Sequence, residues 1–257
     1  MKNLKFLLFF LLSITNQTFS QLKPVQYKDD KQILNGFKIA PTKKSTEKPG
    51  ILILPAWKGI DKLSKDTADK LSKMGYYAFI ADIYGEGNYP KDNNEAGNNA
   101  GFYKKNYEAY QKRISLALNQ LILAGANPEN IVVIGYCFGG TGALEAARGH
   151  LNVKGVVSFH GGLAKDEFRA TEPITAKVLI CHGADDPYES IEEILAFQKE
   201  MRDTKADWQM IYYANAVHSF TNPESGNDNS KGAAYNEKAA KRSFEHFKLF
   251  LNEVLKK

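Results

Sequence analysis

The sequence predicts an α/β fold in which a mostly parallel central sheet is covered by helices on both faces. Short, uniformly apolar runs alternate with amphipathic stretches of helical period, and no repeat or linker interrupts that alternation. Uniform apolarity matters because a strand covered on both faces has no polar side to show.

Ile51 to Leu54, between Pro49-Gly50 and Pro55, is the first such run and reads as a buried strand. Residues 61–74 follow with Leu63, Thr67, Leu71 and Met74 on one helical face and Gly75 as a stop. Tyr77 to Ala81 is the next strand. Residues 84–101, rich in Gly and Asn with Pro90, read as a long loop. Tyr107, Tyr110, Ile114, Leu118 and Leu121 then stripe a helix that ends near Gly125. In the second half, strands are predicted at Ile131–Ile134, Val153–Phe159, Lys177–Cys181 and Trp208–Tyr213. Helices are predicted at Thr141–Arg148, across Ile191, Ile194, Leu195, Gln198 and Met201, and across Ala240, Phe244, Phe247 and Leu251.

With 257 residues, 43% of them hydrophobic, the chain has material for one substantial core. A charged fraction of 25% argues against global disorder. The net charge of +5 is spread along the chain without a Lys/Arg run, so no nucleic-acid partner is expected. The first twenty residues stand apart. Lys2 and Lys5 precede the apolar run Phe6 to Leu12, and Thr18-Phe19-Ser20 offers a small-x-small cleavage site before Gln21. That order describes a secretory signal peptide of residues 1–20 ahead of a single domain of residues 21–257. The apolar run falls short of the roughly 20 residues a membrane span needs, so no stable membrane insertion is expected after cleavage, an uncleaved anchor being the alternative. A periplasmic or secreted location follows. Two cysteines, Cys137 and Cys181, are too few for a disulfide scaffold, and a bridge between them would need Cα atoms within about 7 Å.

The segment Gly135-Tyr136-Cys137-Phe138-Gly139-Gly140 joins a predicted strand to a predicted helix. A strand, a Gly-x-nucleophile-x-Gly turn and a helix together make a nucleophile elbow, which lifts the central side chain above the sheet at a helix N-terminus. For cysteine that place has a second effect, because the helix dipole and free N–H groups favour the thiolate. A structural cysteine in a Gly-rich turn is the plainer alternative. A phosphate-binding Gly-x-Gly-x-x-Gly loop is disfavoured by the spacing and by the late position in the chain. Elbow enzymes place acid and base after the nucleophile, in that order. His182-Gly183-Ala184-Asp185-Asp186-Pro187 follows one later strand and supplies two candidate acids. His218 follows the last strand and is the candidate base. His150 and His246 fit worse, and His160 and His182 precede the acid. A metal site of His160, His182 and Asp186 lacks a ligand-pair motif, and a redox role lacks Cys-x-x-Cys.

These residues, with Pro55-Ala56-Trp57-Lys58-Gly59, Ala81-Asp82-Ile83-Tyr84-Gly85 and His218-Ser219-Phe220-Thr221-Asn222-Pro223, resemble the dienelactone hydrolase family of the α/β-hydrolase fold from about Ile33 to the C-terminus. The resemblance implies a triad of Cys137, His218 and Asp186, with Asp186 preferred over Asp185 by its spacing from His182-Gly183 and by Pro187. It implies an oxyanion hole from the backbone N–H groups of Phe138 and Trp57, no metal and no cofactor. Small esters or lactones would be cleaved through a thioester acyl-enzyme. Trp57, Tyr84, Arg113 and Tyr188 are the candidate substrate-binding residues. Two positions depart from the family pattern. Ala56 stands where many members carry a glutamate facing the resting thiol, and Asn222 where dienelactone-cleaving members carry an arginine. A non-catalytic accessory protein that keeps the fold is the competing expectation.

Overall fold

Ile51 and Ile53 of the first predicted strand pack on one face of the sheet, Leu52 and Leu54 on the other, and all four are fully buried. That strand, Gly50–Leu54, is the third of eight. In the computed structural model, which describes residues 21–166 and 168–256, the strands are β1 Lys23–Asp29, β2 Gln32–Ile39, β3 Gly50–Leu54, β4 Tyr77–Ile80, β5 Ile131–Tyr136, β6 Gly155–Phe159, β7 Lys177–Gly183 and β8 Trp208–Tyr213. They lie in the order β1-β2-β4-β3-β5-β6-β7-β8. From β4 to β8 neighbours are parallel, whereas β1 pairs β2 and β2 pairs β4 antiparallel. The expected signal segment 1–20 lies outside the described residues.

Helices α1 Lys62–Lys73 and α6 Glu237–Val254 cover one face. Ala68, Leu71, Phe247 and Leu251 pack there against Ile51, Ile53 and Ile134. On the other face lie α3 Tyr107–Leu123, α4 Phe138–Arg148 and α5 Ile191–Asp203. Tyr110, Ile114, Leu121, Ala143, Phe197 and Met201 close that side over Leu52, Leu54 and Val133. Among the described residues, no helix is long and apolar enough to cross a membrane.

Three expectations need correction. The stretch 84–101 is not all loop, because α2 Asn93–Lys105 occupies much of it. Asp92 starts this helix by accepting a hydrogen bond from the Glu95 N–H, and Ala96, Ala100 and Tyr103 bury one face at i, i+4 and i+7. The β1–β2 hairpin went unpredicted because most of its side chains face solvent and only Tyr27, Leu34 and Ile39 are buried hydrophobics. In α5, Ile191 and Leu195 are exposed rather than part of the buried stripe. The helix instead turns Phe197, Met201 and the charged Glu200 inward, and Glu200 accepts two hydrogen bonds from the Arg148 guanidinium at 2.9 and 2.7 Å.

Candidate active site

Cys137 follows β5 and caps α4 at φ 54°, ψ −118°, a backbone region that L-residues seldom occupy. Its neighbours make that turn feasible. A Cβ on Gly135 would stand 1.8 Å from the Gly139 carbonyl oxygen, and one on Gly139 would stand 2.1 Å from the Leu54 carbonyl oxygen. The missing side chains let β5, α4 and the end of β3 close around the thiol. The Cys137 N–H donates to the Phe159 carbonyl at 3.0 Å, which ties the elbow to β6.

Asp186 and His218 approach from the next two strands. Asp186 lies in the turn after β7, where its N–H donates to the Gly183 carbonyl and its Oδ1 accepts from the Tyr188 N–H. Its side chain is fully buried, and Oδ2 lies 2.9 Å from His218 Nδ1. Asp185 faces solvent. His218 sits on the long connection after β8, held on both sides: its N–H donates to the Gly232 carbonyl, and its carbonyl accepts from the Ala234 N–H. The second ring nitrogen, Nε2, lies 3.0 Å from Cys137 Sγ. The three residues therefore form one hydrogen-bonded line from buried carboxylate to thiol.

Electrostatics favour the charged form of this line. Burial opposes the Cys137 thiolate, yet the hydrogen bond and positive charge of His218 outweigh it and hold the thiol below its ordinary range. The Phe138 backbone N–H and Lys104 act in the same direction. Burial likewise opposes the imidazolium, but Asp186 and the Cys137 sulfur push His218 up to about 10. Both shifts act toward a thiolate–imidazolium pair rather than a neutral one.

Of the two expected oxyanion donors, the Phe138 N–H already points at the sulfur. Trp57 lies on the loop after β3, and Tyr84 fixes it by donating its hydroxyl to the Trp57 carbonyl at 2.7 Å. Tyr84 stacks on Phe138 at 5.9 Å between centroids, and Phe138 stacks on Tyr110 at 4.6 Å. Asp82 explains its place in the sequence pattern: Oδ1 accepts from the N–H groups of Tyr84 and Gly85, shaping the turn that presents Tyr84. Tyr188 stands edge-on to His218 at 5.2 Å and is more than half exposed, so it forms the rim of the site.

Arg113 is not brought to the thiol. Its Nε donates to Asp29 Oδ2 at 2.9 Å, because α3 runs beside β1 and directs this side chain to the sheet edge. Its Nε is thereby engaged at the sheet edge. Asn222 is occupied too: its Oδ1 accepts from the Glu224 N–H and caps a short 3-10 turn. His160 Nε2 lies 2.7 Å from Thr221 Oγ1, His246 Nδ1 2.8 Å from the Tyr213 hydroxyl, and His150 Nε2 2.8 Å from Glu172. His246 therefore has a protein partner. Among the described residues, no group of three or more His, Cys, Asp or Glu side chains is placed to hold a metal ion.

Residues 34–255 match the sequence profile of the dienelactone hydrolase family. The chain belongs to the dienelactone hydrolase family. It is accordingly a hydrolase of the class that acts on esters and lactones. A probable 2-oxo-3-(5-oxofuran-2-ylidene)propanoate lactonase from Bradyrhizobium sp is 26% identical over 182 residues, covering 67% of this chain and 73% of that protein. Among solved structures, a dienelactone hydrolase-like promiscuous phosphotriesterase from metagenomic libraries superposes with a TM-score of 0.86. It is 32% identical and covers 92% of this chain and 99% of its own. A dienelactone hydrolase from Klebsiella pneumoniae, so described only provisionally, is 16% identical with a TM-score of 0.71, covers 90% of this chain and 98% of its own, and speaks for the shared fold alone.

Beside this dienelactone hydrolase-family site, sequence reasoning missed Lys104, Thr141 and Glu189. Thr141 was findable, since it lies four residues beyond Cys137 on a helix and so one turn above it. Glu189 follows Tyr188 directly, but its inward turn depends on tertiary contacts: burial pushes it up to about 7, and its Oε2 accepts from the Leu163 N–H.

Proposed function

We propose that this protein hydrolyses small carboxylic esters or lactones, with Cys137 as nucleophile, His218 as the proton carrier and Asp186 as the group that orients and charges His218. The observation that supports this most is the line of contacts at 2.9 and 3.0 Å through the two nitrogens of one imidazole. The thiolate attacks the carbonyl carbon, and the oxyanion forms beside the N–H groups of Phe138 and Trp57. Collapse expels the alkoxide, which takes the proton from His218, and leaves a thioester on Cys137. Neutral His218 then takes a proton from water as it attacks the thioester, and the carboxylate product leaves with the thiolate restored.

Hydrolysis of a chromogenic short-chain ester by the purified protein, abolished in Cys137→Ala and His218→Ala, is the expected result. Turnover that survives Cys137→Ala would remove the cysteine from this role. A lactone and ester panel would rank the substrates, and a phosphotriester belongs in it because a structural relative is described as a phosphotriesterase. The pattern of residues 1–20 supports export, and N-terminal sequencing of protein from the periplasm or medium should begin near Gln21.

A further inference from the structure

One buried hydroxyl near the thiol has no work in the reaction just described. Thr141 is 5% exposed, and its Oγ1 makes no hydrogen bond to the protein. A buried hydroxyl is ordinarily satisfied, so an orphan beside a reactive group marks a place where a ligand could supply the partner. Thr141 lies one helical turn past Cys137, and its N–H donates to the Cys137 carbonyl.

Two other polar groups converge on the same spot. Around the bare face of Gly162, the position a Cβ would take is 3.0 Å from Thr141 Oγ1, 3.3 Å from Lys104 Nζ and 3.4 Å from Glu189 Oε1. Glu189 uses its other oxygen, Oε2, to accept from the Leu163 N–H, so Oε1 faces the gap. The scaffold beneath is rigid. Arg148 donates to the carbonyls of Leu163 and Ala164 and is itself held by Glu145 and Glu200. The niche lines a cleft of about 310 Å³ together with Tyr188, the residue edge-on to His218.

Above about pH 7, where Glu189 is ionised, the three groups offer a cationic donor, an anionic acceptor and a hydroxyl that can act either way. A carboxylate in the gap would face Glu189, and an ammonium would face Lys104. A neutral hydroxyl suits all three, donating to Glu189 Oε1 while accepting from Lys104 or Thr141. We propose that Lys104, Thr141 and Glu189 form a subsite for a substrate hydroxyl, so that the preferred substrates are hydroxylated esters or lactones. This rests on the hydrolase reading above, but it concerns binding and can be tested without turnover.

The test uses the full-length mature protein with Cys137→Ala, which binds ester without consuming it. Dissociation constants are measured by NMR titration for two matched pairs: propyl butyrate against 2,3-dihydroxypropyl butyrate, and methyl butyrate against methyl 3-hydroxybutyrate. At least one hydroxylated partner should bind about tenfold more tightly, the size of one good hydrogen bond. Adding Thr141→Val, which keeps the shape, or Lys104→Met should erase that preference and leave the plain ester unchanged. Adding Thr141→Ser should restore it. Equal binding within both pairs, or a preference that survives Thr141→Val, overturns the subsite. Hydrolysis by the wild-type protein is scored separately. Preference without turnover would leave the subsite standing and sink the hydrolase reading, and turnover without preference would do the reverse.

Discussion

His160 stands edge-on to His218, with ring centroids 5.3 Å apart. Burial and the positive charge of His218 hold His160 well below the usual histidine range, while Asp186 and the thiolate raise its neighbour. Phe220 closes the other side of His160 at 5.2 Å, and Thr221 anchors its Nε2. Replacing His160 with leucine should strip the support beneath His218 and orphan the Thr221 hydroxyl. A stability loss of about 1–3 kcal/mol by denaturant titration is expected. Unchanged stability would show that His218 needs no such floor.

The pH dependence of stability has a definite sign. Below about pH 6.5 the unfolded chain binds protons that folded His160 and His182, both lowered first by burial, refuse. Stability from these groups is therefore lost as pH falls through that region. Above about pH 6.5 folded His218 keeps a proton that its unfolded counterpart loses, while the lowered Cys137 works in the opposite direction, so the two contributions offset each other. Above about 8.5 the unfolded thiol loses its proton, whereas His218 keeps its own until about 10, so stability falls again. A melting-temperature series should show this plateau with two falling limbs, the acid limb being shallower in His160→Leu.

Alkylation of Cys137 by iodoacetamide should proceed at lower pH than that of an ordinary thiol, since His218 outweighs burial and lowers it. A rate profile with its inflection at the ordinary thiol value of about 8.5 would contradict the ion pair. Ala56 bears on this result: with no carboxylate at that position, nothing there competes with His218 for the sulfur.

Asp186→Asn should leave the fold intact and cut kcat/KM by about 10³- to 10⁴-fold, because the amide neither fixes the tautomer nor stabilises the imidazolium. The same change should move the alkylation inflection of Cys137 upward. A loss of rate without that shift would mean that Asp186 acts on geometry alone.

Gly135→Ala should cost about 3 kcal/mol or more, or prevent folding outright, since the added methyl meets the backbone of Gly139 at 1.8 Å rather than a movable side chain. Gly87→Ala, where no atom lies within 4 Å but φ is +85°, isolates backbone strain and should cost about 1 kcal/mol. Melting curves of the two variants separate crowding from conformation.

What the sequence made legible follows from locality. The strands Ile51–Leu54 and Ile131–Ile134 are apolar throughout because both faces are covered, and the Cys137 turn is encoded in six consecutive residues. The order of Asp186 and His218 along the chain was readable for the same reason. Helix α2 was obscured by its Gly and Asn content, which its Asp92 cap and three buried side chains offset. For Arg113 a helix face can be inferred from period, but not which neighbour it meets; here that neighbour is Asp29. The Lys104–Thr141–Glu189 niche joins three separate elements around Gly162, so no local pattern announces it.

Cys181, fully buried beneath the Tyr213 hydroxyl with its thiol pushed up to about 12 by burial, is chemically silent, and both cysteines are free. Cys137 is the opposite: partly exposed, with its thiol lowered toward the thiolate, the form that peroxides attack. Oxidation to a sulfenic acid would therefore find no resident thiol to resolve it. Repair must come from a small thiol that enters by the substrate's route, so bound substrate would protect the sulfur and an empty site would leave it open to ageing.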